Sequence, residues 1–326
     1  MVGVGRPEAD RPHQPGIVRH KEESRLFRLS EQRRMALTGY LFISPFFLLF
    51  AVFGLYPIVF TFYLSFFKWD ALGPMKFNGI KNFQFILTDG TFWTSFGNTL
   101  LINLMGTVPQ LACAMLLAVV LNSALLRMKQ AFRIIYFMPN ITSIVAVALI
   151  FSVLFANEGA ATWLVQRFGV EEVSWRAGFW GVKIAIAIMV FWRWLGYNMI
   201  IYLAGLQSIS PELYEAAKID GAGARVRFFQ ITIPLMKPFI FFTVLISTIG
   251  GMQLFTEPYV YFSQSGTATT PKPGITMMIY LYSEAFRTNF FGTAAATAVV
   301  LFVFTLIFSL LNTYVTNRMG GSGGDQ

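Results

Sequence analysis

The chain has 326 residues, of which 55% are hydrophobic, 17% aromatic and only 13% charged. Soluble domains carry roughly 25% charged residues, so this composition excludes an ordinary soluble domain. The net charge of +9 comes from Lys and Arg in short segments between apolar runs, not from one basic face. Because no nucleic-acid-binding motif accompanies this charge, we expect no nucleic acid among the partners.

Six apolar segments follow one another along the chain. They are long enough for a helix to cross about 30 Å of hydrocarbon, which takes about 20 residues. They are too long for barrel strands and lack the alternation of apolar and polar residues that such strands show. The sequence therefore predicts an all-α membrane protein with six transmembrane helices, at 40–67, 93–122, 134–156, 179–205, 238–262 and 290–315.

The basic residues predict the orientation of these helices. Sixteen Lys and Arg residues fall in the segments that share a side with the N-terminus, against eight in the alternate segments. Loops rich in Lys and Arg stay in the cytoplasm, so both termini are predicted to be cytoplasmic. We expect a tail at 1–38, a first helix with an outer loop at 39–92, a helical core at 93–315 and a flexible tail at 316–326.

The cytoplasmic loop at 207–238, between the fourth and fifth segments, contains a short predicted helix. Ser210 followed by Pro211 is a helix start, and Gly221 permits the left-handed conformation that ends one. Leu213, Ala216 and Ala217 would give this helix a small apolar face. Such a helix can dock against a partner protein, or it can be a connector lying flat on lipid headgroups.

Residues of this loop resemble the EAA loop of binding-protein-dependent ATP-binding-cassette (ABC) importers. That pattern runs E-A-A, two residues, D-G-A, and later I-x-L-P, and this chain departs from it only in having Ile233 where the family has Leu. The matching residues here are Glu215, Ala216, Ala217, Asp220, Gly221, Ala222, Ile231 and Pro234. Segments elsewhere, including 77–83, 203–207 and 255–259, resemble the carbohydrate branch of these importers, so the resemblance covers about residues 40 to 315.

The resemblance implies a fold and a function. It implies the type I permease fold with a five-helix core, in a multi-pass protein of the bacterial inner membrane. The chain would be a permease subunit for a di- or oligosaccharide, working with a second homologous permease, two ATPase subunits and an extracytoplasmic sugar-binding protein. In this family the short helix couples to the ATPase, and its Glu, here Glu215, pairs with an Arg of that subunit.

Residues for substrate contact are predicted at two places. Arg193 and Asn198 are polar groups within the fourth segment, and polar groups at membrane depth face a cavity or each other. Near the fifth segment, small, aromatic and hydrogen-bonding residues suit a sugar, whose apolar faces stack on rings while its hydroxyls need directional partners. These residues are Gly250, Gln253, Phe255, Glu257 and Tyr259. The alternatives are a structural partner for Arg193 and simple helix packing for the others.

The motifs that the sequence lacks also bear on function. It contains no G-x-x-x-x-G-K-[ST] phosphate loop, so we expect no catalysis or cofactor in this chain, with ATP and Mg²⁺ bound by the partner ATPase. We also expect no metal site, because the histidines are His13 and His20 of the tail and Cys113 is a lone cysteine. The remaining alternatives are an ion-coupled carrier, which would need carboxylates within the spans, and a scaffold or channel.

Overall fold

The computed structural model of the chain describes residue 3 and residues 19–123, 128–170, 173–263 and 270–320. Part of the predicted N-terminal tail, Arg127 and most of the predicted flexible C-terminus lie outside these residues. The chain divides into two compact units, Met1–Phe60 and Thr61–Gln326.

Helices make up most of the described structure. They are α1 Arg19–Phe50, α2 Tyr56–Leu64, α3 Lys81–Thr88, α4 Gly90–Asn122, α5 Lys129–Ile141, α6 Ile144–Leu154, α7 Ala160–Arg167, α8 Phe179–Gln207, α9 Pro211–Ile219, α10 Ala224–Arg227, α11 Ile233–Met252, α12 Thr256–Ser263, α13 Met277–Phe286 and α14 Phe291–Gly320. π-helical turns at Ala51–Leu55 and Phe228–Thr232 make α1 continuous with α2 and α10 continuous with α11, and a 3₁₀ turn at Lys272–Gly274 precedes α13. Within the described residues the strands are one antiparallel pair, β1 Phe67–Lys68 and β2 Lys76–Phe77.

Among the described residues, five helical stretches are long and apolar enough to cross a membrane. They are Arg33–Leu64, Gly90–Asn122, Phe179–Gln207, Ala224–Met252 and Phe291–Thr316. A sixth crossing is reached if α5 and α6 together form one span, and these two helices bend by 94° at the break between them. The predicted all-α class is confirmed, but the third predicted helix is two helices. Hydropathy shows where an apolar run lies but not the direction of the helix axis, so the bend was not predicted.

The fifth predicted segment, 238–262, has different bounds in the structure. The helix starts at Ala224 and ends at Met252, and α12 is a separate short helix. The break, at 253–255, is stabilised from another element, because the Thr276 hydroxyl donates to the carbonyl oxygen of Leu254 at 2.6 Å. A hydropathy window averages across such a break, which explains the wrong boundary.

The first unit is dominated by α1, which begins inside the predicted tail. Large apolar side chains along this helix and the π-helical turn after it are exposed, with Phe42 at 79% and Phe53 at 75%. Because water does not favour so much apolar surface on a helix, this exposure fits a membrane-spanning helix.

In the second unit, α4 and α8 run side by side in the same direction. The Gln110 side-chain amide of α4 donates to the carbonyl oxygen of Trp194 at 2.9 Å, and Gly106 brings α4 close to the backbone of Ala187. Helix α5 crosses α8 at Gly196, where a Cβ atom would overlap the carbonyl oxygen of Tyr136. The backbones therefore touch at this crossing, and only glycine leaves the space.

The two ends of the second unit are organised differently. At one end, called here the α3 end, Asn82 donates to the carbonyl oxygens of Ser65 and Phe67 at 2.8 and 2.9 Å. At the opposite end, called the α9 end, the chain leaves α8, forms α9 and returns through α10 into α11. Between the two ends α8 and α11 are joined by a hydrogen bond of 2.6 Å between the hydroxyls of Tyr202 and Thr243.

Candidate functional site

Helix α9 and the turn after it form a loop that projects from the α9 end. The helix starts at Pro211 with Ser210 in the N-cap position, as predicted, although the Ser210 side chain makes no capping hydrogen bond. Gly221 ends this segment with φ +78°, which confirms the predicted left-handed conformation. The amide of Ala222 donates back to the carbonyl oxygen of Ala217 at 2.8 Å, which closes the helix end.

Two side-chain contacts hold this loop to the start of the next helix. The hydroxyls of Tyr214 and Thr232 share a hydrogen bond of 2.9 Å. Arg227 donates from Nη1 to the carbonyl oxygen of Ala222 at 3.0 Å. Thr232 belongs to the π-helical turn, and such turns are frequent at functional positions of helices. The loop is thereby fixed to the helix that runs from Ala224 to Met252.

The predicted docking residues are mostly accessible. Glu215, Ala216, Asp220, Gly221 and Pro234 are exposed, whereas Ala217, Ala222 and Ile231 are half-buried. The apolar side chains of Leu213 and Ile219 are also exposed, at 47% and 87%. An acidic group between exposed apolar side chains, on a short and well-anchored helix, has the composition of a protein-docking surface.

A cavity of about 550 Å³ lies between α4, α6, α8, α11 and α12. Its volume falls within the range of about 300 to 1,000 Å³ that is usual for small-molecule sites. Its lining combines apolar side chains with hydrogen-bonding ones. The lining residues that can form hydrogen bonds through their side chains are Asn103, Thr107, Gln110, Arg193, Trp194, Tyr197, Asn198, Ser247, Gln253, Thr256 and Glu257. Such a lining can take up a solute rich in hydroxyl groups.

Arg193 and Glu257 form an ion pair in this lining. Arg193 Nη1 lies 2.9 Å from Glu257 Oε1, and the two side chains are 19% and 7% exposed. The pair joins α8 to α12 across 64 residues of sequence. The guanidinium also lies over the Trp194 ring, with its central carbon 5.5 Å from the ring centroid. Arg193 therefore has a structural partner, Glu257, and it also lines the cavity.

The structure brings together most of the predicted substrate-contact residues. Arg193, Asn198, Gly250, Gln253, Phe255 and Glu257 line the cavity, but Tyr259 does not. Tyr259 instead stacks behind Phe255, with ring centroids 4.9 Å apart and an interplanar angle of 20°, and both rings contact Tyr282. The helix break at Met252 turns α12 so that Tyr259 supports the Phe255 ring from outside the cavity.

Three polar residues of α4 in the lining were missed from the sequence. Asn103, Thr107 and Gln110 are separated by four and three positions, so they lie on one face of the helix. Three hydrogen-bonding side chains on one face of a transmembrane helix are a signal of a polar cavity, and this spacing could have revealed them.

A second polar cluster lies at the α3 end, outside the candidate spans. The Tyr280 hydroxyl donates to Asp89 Oδ2 at 2.8 Å, and Asp89 Oδ1 accepts from the amide of Thr91 at the start of α4. Burial, reinforced by the negative charge of Asp89, raises the pKa of Glu284 above its ordinary value. This cluster fixes α13 to α4. In the described residues no group of three or more His, Cys, Asp or Glu side chains is placed to hold a metal.

Comparison with known proteins places the chain in a family. Residues 110–321 match the family described as "Binding-protein-dependent transport system inner membrane component". The chain is 33% identical to the arabinooligosaccharides transport system permease protein AraP of Halalkalibacterium halodurans, over 95% of this chain and 96% of that protein. It is 36% identical to the lactose transport system permease protein LacF of Rhizobium radiobacter, over 89% of this chain and 98% of that protein.

A solved structure shares the fold. It is the crystal structure of a bacterial ABC transporter involved in the import of the acidic polysaccharide alginate. One of its chains superposes with a TM-score of 0.75 at 21% identity, covering 89% of this chain and 99% of that one. With the family match and the apolar helices, this confirms the predicted permease fold, and the chain belongs to the inner-membrane components of binding-protein-dependent transport systems.

Proposed function

We propose that this chain is the permease subunit of an ABC importer for a di- or oligosaccharide. The cavity of about 550 Å³ carries the proposal, because its lining offers amide, hydroxyl and phenol groups together with the Phe255 ring. Sugars need this combination of directional polar partners and a flat apolar surface. The names of AraP and LacF, both transport permeases for saccharides, support the same substrate class.

Besides this chain, the proposed importer contains three other kinds of subunit. A second homologous permease would complete the pathway, two ATPase subunits would bind ATP and Mg²⁺, and an extracytoplasmic protein would deliver the sugar. A solved structure of a bacterial alginate ABC transporter in complex with a periplasmic protein carrying an alginate pentasaccharide, 22% identical to this chain, supports the role of a delivery protein. The sequence supports separate ATPase subunits, because it contains no phosphate loop of its own.

We assign α9 as the helix that docks on the ATPase. Glu215 is exposed on it and would form a charge-assisted hydrogen bond with a basic residue of that subunit. Glu212, which is exposed one turn earlier on the same helix, provides a matched control. We expect Glu215→Ala to insert into the membrane normally and to lose binding-protein-stimulated ATP hydrolysis, while Glu212→Ala keeps it. Full stimulated hydrolysis by both variants in reconstituted vesicles would make the loop a connector.

The competing function is an ion-coupled carrier. Such a carrier would use a carboxylate that gains and loses a proton or cation within the pathway. Among the described residues of the lining, the one carboxylate is Glu257, and Arg193 already neutralises it at 2.9 Å. Uptake that requires ATP inside the vesicle and persists without an ion gradient would favour the importer.

The sugar assignment is tested through Phe255. We expect Phe255→Ala to reduce uptake of radiolabelled oligosaccharide into vesicles holding the whole importer, because it removes a ring from the cavity lining. Phe286→Ala is the control, since Phe286 belongs to the same aromatic group but is 63% exposed and does not line the cavity. Competition by amino acids or phosphate, with none by sugars, would refute the assignment.

We also propose that both termini lie in the cytoplasm, which follows from the excess of Lys and Arg on their side. Cysteine labelling of Ser322→Cys, in a chain whose Cys113 is replaced by Ser, measures this directly. We expect no reaction with a membrane-impermeant maleimide in intact cells. Labelling from outside would reverse the topology and remove α9 from reach of a cytoplasmic ATPase.

A further inference from the structure

The cavity lining contains two charged side chains among its described residues, and they neutralise each other. Arg193 Nη1 and Glu257 Oε1 are 2.9 Å apart, so the lining offers polar groups but no net charge. The pair connects two helices, which a hydrogen bond between uncharged side chains could also do. The use of full charges inside a membrane protein, where they are costly, calls for a reason beyond attachment.

The arginine retains binding capacity that the glutamate does not use. Its Nε atom is buried and has no hydrogen-bond partner in the described structure. A guanidinium can bind a carboxylate through two parallel N–H groups, and here only Nη1 is engaged by Glu257. If Glu257 lost its charge, Arg193 would become an unpaired cation in the cavity wall, and a carboxylate on a solute would be its natural partner.

We propose that Glu257 is a specificity-determining residue, which keeps the cavity neutral by holding Arg193 and so selects uncharged saccharides over saccharides that carry a carboxylate. This inference rests on the proposed function, since it concerns which sugars the cavity accepts. A carboxylate-bearing sugar entering the wild-type cavity meets Arg193 already occupied and Glu257 of like charge. It therefore loses its hydration without gaining a partner.

The test compares two disaccharides that differ in one respect. α-1,4-Galactobiose and α-1,4-digalacturonate share ring and linkage, but the second has carboxylates in place of two hydroxymethyl groups. Binding to the detergent-purified importer is measured by calorimetry without the delivery protein, so that the selectivity of that protein does not enter. Lactose and arabinotriose are measured as further neutral probes.

Three variants separate charge from attachment. Glu257→Gln keeps the size of the side chain and an oxygen that can accept from Arg193, but it removes the charge. We expect its affinity ratio of digalacturonate to galactobiose to rise at least about tenfold over wild type, as hydrogen bonds to charged groups are the strong ones. Arg193→Gln should lower that ratio. The double variant Arg193→Gln/Glu257→Gln should return the ratio to that of wild type, because the lining is again neutral.

The outcomes distinguish this inference from the proposed function. If all three variants bind neutral sugars with an unchanged ratio, or lose both sugars equally, the pair serves only to join α8 to α12 and the inference is overturned. If wild type binds none of the neutral probes and the amino-acid and phosphate competitions of the uptake assay succeed, the proposed function fails, and the inference fails with it. A raised ratio in Glu257→Gln that the double variant restores supports both.

Discussion

The left-handed turn at Gly221 allows a sharp test of how the α9 loop works. Gly221 has φ +78°, and nothing lies within 4 Å of a Cβ atom built there. Gly223 is also free of neighbours, but its φ of −66° is accessible to any residue. The two glycines therefore differ in backbone strain and not in available space, which makes Gly223→Ala a matched control for Gly221→Ala.

The expected magnitude follows from the cost of that backbone conformation. An L-residue with a Cβ pays about 1 to 2 kcal/mol in the left-handed region. If docking requires the loop in this conformation, the strain subtracts from the docking free energy and weakens ATPase affinity by about 5- to 30-fold. Asn tolerates the left-handed region and valine does not, so the loss should increase in the order Gly221→Asn, Gly221→Ala, Gly221→Val.

Two measurements check this reasoning. Titrating the purified ATPase onto each permease variant in nanodiscs gives the affinity, and binding-protein-stimulated ATP hydrolysis in vesicles gives the coupling. Membrane insertion, followed by protease protection, should be the same for every variant. The reasoning is refuted if Gly221→Ala matches Gly223→Ala in both measurements, or if Gly221→Asn is as impaired as Gly221→Val.

Two further predictions concern stability. Gly196→Ala should lower the melting temperature in detergent, because the new methyl group overlaps the Tyr136 carbonyl oxygen. The decrease should be equivalent to about 1 to 3 kcal/mol, the usual cost of overpacking. Gly97→Ala, in open space on α4, should leave the melting temperature unchanged. A Gly196→Ala protein that melts like wild type would contradict the close crossing of α5 and α8. The raised pKa of Glu284 means that the folded protein disfavours the ionised carboxylate. The contribution of Glu284 to stability is therefore fully present below the ordinary glutamate pKa of 4.5 and is lost as the pH rises through the pKa of the folded state. Glu284→Gln should therefore melt higher than wild type at pH 7, with the difference shrinking as the pH is lowered towards 4.5; a difference independent of pH would exclude ionisation as its cause.

The sequence predicts the spans well because hydropathy measures the apolar character that a segment needs to lie in lipid. The second predicted segment begins within three residues of α4, and the fourth matches α8 to within two. The 94° bend between α5 and α6 carries no such signal, since Pro139 lies inside α5 and the break comes after it, at Thr142 and Ser143. Direction changes depend on what packs against the turn, which composition does not encode.

For the cavity, the sequence indicates residues but not their partners. Arg193 stands out as a charge in a span, whereas its pairing with Glu257 depends on how α12 folds back after the break at Met252. That same break removed Tyr259 from the lining. Local conformation, by contrast, was readable at Gly221, because a helix end that needs positive φ selects glycine through a local steric rule.

The continuous helix from Ala224 to Met252 has a mechanical consequence. Its fulcrum can be placed at Thr243, where the hydrogen bond to Tyr202 ties it to α8. At 1.5 Å per residue, the arm from Thr243 to Ala224 is about 28 Å long and the arm to Gly250 is about 10 Å long. A sideways displacement of about 3 Å at the α9 loop would thus move the cavity wall by roughly 1 Å in the opposite direction. This lever trades distance for force, so in the proposed importer a modest stroke at the α9 loop would be enough to break hydrogen bonds to a sugar bound in the cavity.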